Sequence, residues 1–189
     1  MHHVRHGCGR LYHVHHIELW CQFFLSMVKI GLLSDTHGYL DDAIFKHFEN
    51  CNEIWHAGDF GTIELADKLA AFKPLRGVYG NIDGKDIRLT YPEHLRFKCE
   101  NVDVWMTHIG GYPGKYNPSI RQEIYTKPPQ LFICGHSHIL KVIYDKKISC
   151  LHLNPGAAGK QGWHKVRTML RFCISEEKIH TLEAIELQK

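Results

Sequence analysis

The stretch VKIGLLSDTHG (28–38) joins a short apolar run to a polar cluster closed by a glycine. An apolar run of that length, bounded by turn-forming residues, is the pattern of a buried strand. Two segments repeat it: EIWHAGD (53–59) and LRGVYGN (75–81). Between them lie two segments of helical period. Asp41 to Glu49 places Ala43, Ile44, Phe45 and Phe48 at apolar positions behind an acidic start. Thr62 to Phe72 sets Ile63, Ala66, Leu69 and Ala70 along one face, with Thr62 as N-cap. Strand–helix–strand–helix–strand predicts parallel strands covered by helices.

Beyond this unit the pattern changes. LRFKCE (95–100) and VDVWMTH (102–108) read as adjacent strands joined tightly at Asn101. GGYPGKYNPS (110–119) is a loop, followed by a short helix from Arg121 to Tyr125. LFICG (131–135) is another buried strand, and KVIYD (141–145) with KISCLHL (147–153) forms a hairpin turning at Asp145–Lys146. Thr168–Ser175 and Lys178–Leu187 are the last two strands. The expected architecture is a single α/β domain over 27–189, a sandwich of mixed sheets flanked by helices.

Composition sets the outer bounds. The chain has 189 residues, 44% hydrophobic and 23% charged, ordinary values for one folded domain. Ile17 to Val28 is nearly apolar but contains Glu18 and Gln22, and it is shorter than the roughly 20 residues that a membrane span requires. The net charge is only +3 and no basic stripe is evident, so stable nucleic-acid binding is not expected. Seven scattered cysteines without a Cys-x-x-Cys pair speak against a disulfide framework and for a reducing, cytoplasmic setting. Cys99, Cys134, Cys150 and Cys173 lie in or beside strand-like runs and read as small core residues.

Residues 1–26 show neither the helical nor the strand period. They hold six of the sixteen histidines, and Met27 immediately precedes the first strand. The expectation is a disordered extension, or a start assigned upstream of Met27. No small-residue cleavage site follows the apolar part, which excludes an ordinary secretory signal.

The chemistry sits where the strands end. The first ends in Asp35 and His37, the second in Asp59, and the third in Asn81. His108 closes the VDVWMT strand, and His136 and His138 follow LFICG. The leading members are 24, 22, 27 and 28 residues apart. Ligands of open α/β sheets bind beyond the carboxyl ends of strands, so these side chains can converge. Two carboxylates, one amide and four imidazoles form an oxygen and nitrogen set without thiolate, suited to manganese, iron(II), zinc, nickel or cobalt. Seven ligands exceed one tetrahedral zinc site and suffice for two ions sharing a carboxylate.

In this order, Asp-x-His, Gly-Asp, Gly-Asn, His and Gly-His-x-His resemble the calcineurin-like metallophosphoesterases, from Met27 to about Gly159. The similarity is greatest to the small single-domain phosphodiesterases typified by YfcE-like proteins, and NPGAAG (154–159) fits that branch. The resemblance implies two divalent ions, manganese first among them. Asp35, His37 and His138 would hold one ion, Asn81, His108 and His136 the other, and Asp59 would bridge. It also implies a hydroxide between the ions that attacks phosphorus in line, with Asp59, Asn81 and His108 at the reacting end. The expected substrate is a small phosphodiester or nucleotide-like ester, and the expected assembly a homodimer or larger. A phosphomonoesterase, a nucleotide hydrolase, or a non-catalytic scaffold like the small retromer subunit are the alternatives.

One position departs from the family pattern. Many members carry a histidine directly after the metal-binding asparagine; here it is Ile82. Without that proton donor, esters with good leaving groups such as aryl diesters should react best. His56 reads as a support for the ligands or as a half-buried strand residue. Asp83 reads as an orienter of Asn81 or as a cap. Tyr112, Lys115 and Tyr116 are the candidates for touching substrate, Trp105 and Trp163 read as core, and His94, His152, His164 and His180 carry no motif.

Overall fold

The computed structural model describes residues 27–188; the extension expected over residues 1–26 lies outside them. In chain order the first elements are β1 (Val28–Leu33), α1 (Asp42–Phe48), β2 (Glu53–His56), α2 (Ile63–Phe72), β3 (Leu75–Gly77) and α3 (Lys85–Thr90). Next come β4 (His94–Cys99), β5 (Val102–Thr107), the two short strands β6 (Gly111–Tyr112) and β7 (Lys115–Tyr116), and α4 (Pro118–Thr126). The chain ends with β8 (Leu131–Ile133), β9 (Leu140–Asp145), β10 (Cys150–Pro155), β11 (Arg167–Ser175) and β12 (Lys178–Leu187). Asp41 caps α1 and Thr62 caps α2, each through a side-chain oxygen that accepts a backbone N–H.

Two five-stranded mixed sheets result, ordered β12-β11-β1-β2-β3 and β4-β5-β8-β10-β9. β1, β2 and β3 run parallel, as do β5, β8 and β10, while the outer pairs are antiparallel. The sheets face each other across a core in which Ile30, Leu32 and Phe172 meet Val104, Met106 and Ile133. Trp55 lies edge-on to Phe97 and Phe172 at 5.0 and 5.7 Å. On the outer face of the first sheet, Leu33, Ile54 and Met169 pack on Ile44, Leu69 and Ile87 of the three helices. Trp105, Phe132 and Cys150 cover the second sheet against Ile120 and Ile124 of α4. Burying a large apolar side chain stabilises the fold by about 1.5–3 kcal/mol. The sandwich flanked by helices is therefore the expected architecture, and no helix among the described residues is long and apolar enough to cross a membrane.

Several local expectations need correction. α3 is absent from the sequence reading: Gly84 offers no side-chain cap and Ile87 is the helix's one buried residue, so no periodicity announces it. α4 begins at Pro118, capped by Asn117, rather than at Arg121. β2 and β3 stop at His56 and Gly77, which leaves Asp59 and Asn81 in loops beyond the strands. Trp163 is fully exposed rather than core, whereas Trp105 is buried. Tyr116 is buried and donates its hydroxyl to Asp145 Oδ2 at 2.9 Å, so its ring packs in the core rather than in an exposed loop. Cys99, Cys134, Cys150 and Cys173 are all buried and free, and burial pushes the Cys134 thiol up to about 12.

His152 on β10 is fully buried beside Phe132, and neither ring nitrogen meets a hydrogen-bond partner among the described residues. Burial lowers its pKa from 6.5 to about 4. The folded state thus keeps the ring neutral while the unfolded chain takes up a proton, and this contribution to stability is lost as pH falls from 6.5 toward about 4. His152→Leu is expected to raise unfolding free energy by about 1 kcal/mol at pH 7. The gain should be larger at pH 5, as measured by urea unfolding at both values.

Candidate metal centre

The loops after β1 and β2 continue the parallel ladder past the ends of the strands. Asp35, His37 and Gly38 donate their backbone N–H groups to the carbonyls of Gly58, Asp59 and Phe60 at 2.9, 3.0 and 2.8 Å. His56 is wholly buried and braces this junction. Its Nδ1 accepts from the Gly58 N–H at 3.1 Å, so Nε2 carries the hydrogen and donates to Thr36 Oγ1 at 2.9 Å. The Thr36 hydroxyl passes the bond on to the Phe60 carbonyl at 3.1 Å. Burial lowers the pKa of His56 to about 3 and keeps it neutral, and its ring stacks on Phe60 at 3.7 Å. It supports the ligand loops from within the core.

Asp83 ties two loops together, accepting from the backbone N–H groups of Gly61 at 2.8 Å and Gly80 at 2.7 Å. Arg88 grips the same loop through the carbonyls of Asp83 and Gly80. Gly80 packs so closely that a Cβ there would overlap the Asp59 carboxylate. Across the sandwich, Gly135 donates to the His108 carbonyl at 3.0 Å, and Asn154 of the NPGAAG turn donates to the Gly135 carbonyl at 2.7 Å. Ala158 and Gly159 return to the carbonyls of Ser34 and Asp35 at 2.9 and 3.0 Å.

All seven candidate ligands are thereby brought to one place. Ligand atoms of Asp35, His37 and His138 lie within 4.8 Å of one another, as do those of Asp59, His108 and His136. Asn81 Oδ1 is 3.1 Å from His108 Nε2. The same Asp59 oxygen, Oδ2, stands 3.3 Å from His108 Nε2 and 3.6 Å from His37 Nε2, between the two groups. Its other oxygen is held by the Ile82 N–H at 3.1 Å. Five of the seven, Asp35, His37, Asp59, His136 and His138, have positive φ between 48° and 66°. That conformation costs roughly 1–2 kcal/mol per residue and persists at sites that the surrounding structure over-determines.

The ring tautomers follow from the outer bonds. His108 Nδ1 faces the Ala57 carbonyl at 2.8 Å; a carbonyl only accepts, so Nδ1 bears the hydrogen and the neutral ring presents an Nε2 lone pair. His138 is set by a relay that the sequence did not reveal. His164 Nε2 donates to the Gly159 carbonyl at 3.1 Å, leaving its Nδ1 to accept from His138 Nδ1 at 3.3 Å. His138 Nε2 is then a lone pair 3.2 Å from Asp35 Oδ1, a buried oxygen without a hydrogen-bond donor, and 3.3 Å from His37 Nε2. Acceptors facing acceptors at these distances require positive charge between them, from a proton or a metal ion. The electrostatics agree. The Asp35 carboxylate raises the pKa of His138. Burial opposes charge on His108, but the Asp59 hydrogen bond and both carboxylates outweigh it and raise that pKa too. Burial would raise Asp59, yet His108 holds it below its usual value, while burial and His108 lower His136.

The donor set, the orphaned Asp35 oxygen and the shared Asp59 oxygen fit divalent ions. No signal in the sequence marks His164, because its link to His138 spans 26 residues and closes only in the fold. His164→Ala is expected to weaken cobalt(II) binding in the Asp35 group by about 10–100-fold. His164→Gln, which can accept from His138 and donate to Gly159, should restore most of it. Titration followed by cobalt absorption reads both variants.

In sequence and fold the chain is similar to known proteins. A probable metallophosphoesterase of Methanothermobacter thermautotrophicus is 27% identical over 135 residues, covering 68% of this chain and 76% of its own. A phosphodiesterase of Methanocaldococcus jannaschii is 24% identical over 146 residues, covering 68% and 83%. The structure of vacuolar protein sorting 29 from Cryptosporidium parvum superposes with a TM-score of 0.66 at 16% identity, covering 86% of this chain and 99% of that one. The profile of the calcineurin-like phosphoesterase superfamily domain matches residues 28–177, and it is to this superfamily that the chain belongs.

Proposed function

We propose that the protein is a metal-dependent phosphodiesterase using two divalent ions. The observation that carries this reading is the pair of ligand groups on either side of Asp59 Oδ2, with lone pairs from rings and carboxylates directed at one another. Asp35, His37 and His138 would hold one ion, Asn81, His108 and His136 the other, and Asp59 would be shared between them. Manganese is the first ion to test, with zinc, iron(II), nickel and cobalt as alternatives. When bound, such a pair lowers the pKa of an intervening water and draws charge off phosphoryl oxygens.

The chain's own residues supply position and selectivity. The Ala57 carbonyl and His164 fix the rings of His108 and His138, so that little reorganises on binding. With its amide oxygen toward His108, Asn81 has its N–H₂ group left to donate to a phosphoryl oxygen. Ile82 holds Asp59 through its backbone N–H, but its partly exposed side chain has no proton to give. Esters whose leaving group departs without protonation are therefore favoured.

Two clefts support a diester over a monoester. One, of about 440 Å³, reaches Asn81 and His108 and is walled by Arg88, Glu93 and His94. The other, of about 480 Å³, opens from His136. They share Ile109 and Asn117, so a phosphorus above the ligands has a cleft for each of two substituents. His94, which carries no sequence motif, thus lies beside the site.

The test is hydrolysis of bis-p-nitrophenyl phosphate by metal-stripped protein resupplied with manganese, compared with p-nitrophenyl phosphate. The diester should be the better substrate, and Asp59→Asn should lower its turnover about 10²–10³-fold, with folding checked by circular dichroism. Absence of turnover with every one of the five metals, despite binding of two ions, would overturn the enzymatic reading in favour of a scaffold.

A further inference from the structure

We propose that the cleft opening from His136 is a subsite for a second phosphate, so that the substrate is a phosphodiester with a phosphorylated, nucleotide-like substituent. The inference rests on the phosphodiesterase reading and adds to it the class of substrate.

Charge sets this cleft apart. Lys115 of β7, Arg121 of α4 and Lys141 of β9 all line this cleft, and no aspartate or glutamate does. Three separate elements therefore direct cations at one space beside a metal-site residue. In the first cleft Arg88 is accompanied by Glu93, so the two arms of the site differ in sign balance. Two of the cations are also held. Arg121 is anchored by Nε and Nη2 on the Tyr116 carbonyl at 3.3 and 3.1 Å, which fixes its guanidinium at the wall. Lys141 Nζ lies 3.7 Å from the centre of the Tyr112 ring. The ring face holds that ammonium without neutralising it, as a carboxylate would.

The carboxylate in the neighbourhood is already engaged. Asp145, on the same strand as Lys141, is buried and accepts the Tyr116 hydroxyl at 2.9 Å and the Lys147 N–H at 2.9 Å. This also explains why Tyr116 sits in the core: it carries the wall of the cleft on which Arg121 is fastened. Ile109, Tyr112 and Ile139 add an apolar and aromatic surface to a lining that also holds Asn117, Ser137 and Asn154, a mixture suited to the body of a nucleoside between the two phosphates. A dianionic phosphate suits this group better than a neutral alcohol, because two ammonium groups and one guanidinium on three elements offer charge-assisted donors from several directions.

The experiment uses the full chain loaded with manganese and two aryl esters that differ by one group, thymidine 5′-(p-nitrophenyl phosphate) and the same ester bearing a 3′-phosphate. The 3′-phosphate is expected to lower KM about tenfold, an advantage that shrinks as salt rises from low to ~0.15 M. In a Lys115→Gln/Lys141→Gln variant the ratio of the two KM values should fall to about one. Equal KM values in the unaltered protein, or an advantage that survives the double substitution, would overturn the subsite. If neither ester turns over with any metal, the phosphodiesterase reading fails instead. Calorimetric binding of thymidine 3′,5′-bisphosphate against thymidine 5′-phosphate then decides the subsite: tighter binding of the bisphosphate, lost in the variant, upholds it, and equal binding overturns it.

Discussion

Asp35 and Asp59 are buried carboxylates that face the Nε2 atoms of His37, His108 and His138 across 3.2–4.0 Å. At His108 and His138 both sides of these contacts are acceptors, because the outer ring nitrogens have given their hydrogens to the Ala57 carbonyl and to His164. Buried lone pairs opposed in this way are unfavourable unless positive charge lies between them. The remaining architecture can be understood as the means of holding this crowding in place.

The parallel halves of the two sheets bring their carboxyl ends to a common edge, and the loops beyond keep bonding to each other after the regular strands stop. Left-handed backbone at five of the ligands turns their side chains inward. Such residues persist because each loop is fastened from behind: by the His56–Thr36 chain, by Asp83 and Arg88, and by the NPGAAG turn. Polar residues that would be costly singly become compatible with a core when every outer atom is bonded.

The clefts beside the ligands come from the least regular parts of the chain. One is walled by α3 and the start of β4, the other by the β6–β7 hairpin, the start of α4 and β9. Under the proposed function these walls would carry the selectivity, on a scaffold whose centre is tightly braced.

The order Asp-x-His, Gly-Asp, Gly-Asn, His, Gly-His-x-His at the ends of buried runs was enough to point to the family and to the seven side chains that the fold brings together. Strand burial and turn chemistry are local properties, written at two- and four-residue spacing. The Thr62 cap, the acidic start of α1 and the buried cysteines were legible for the same reason. What the sequence left open lies in contacts between distant segments. The choice of roles for His56 and Asp83, the burial of Tyr116, the exposure of Trp163, the relay through His164, and the gathering of Lys115, Arg121 and Lys141 have no local signature. Each depends on which loops meet when the two sheets close on their shared core, and only the tertiary structure decides that.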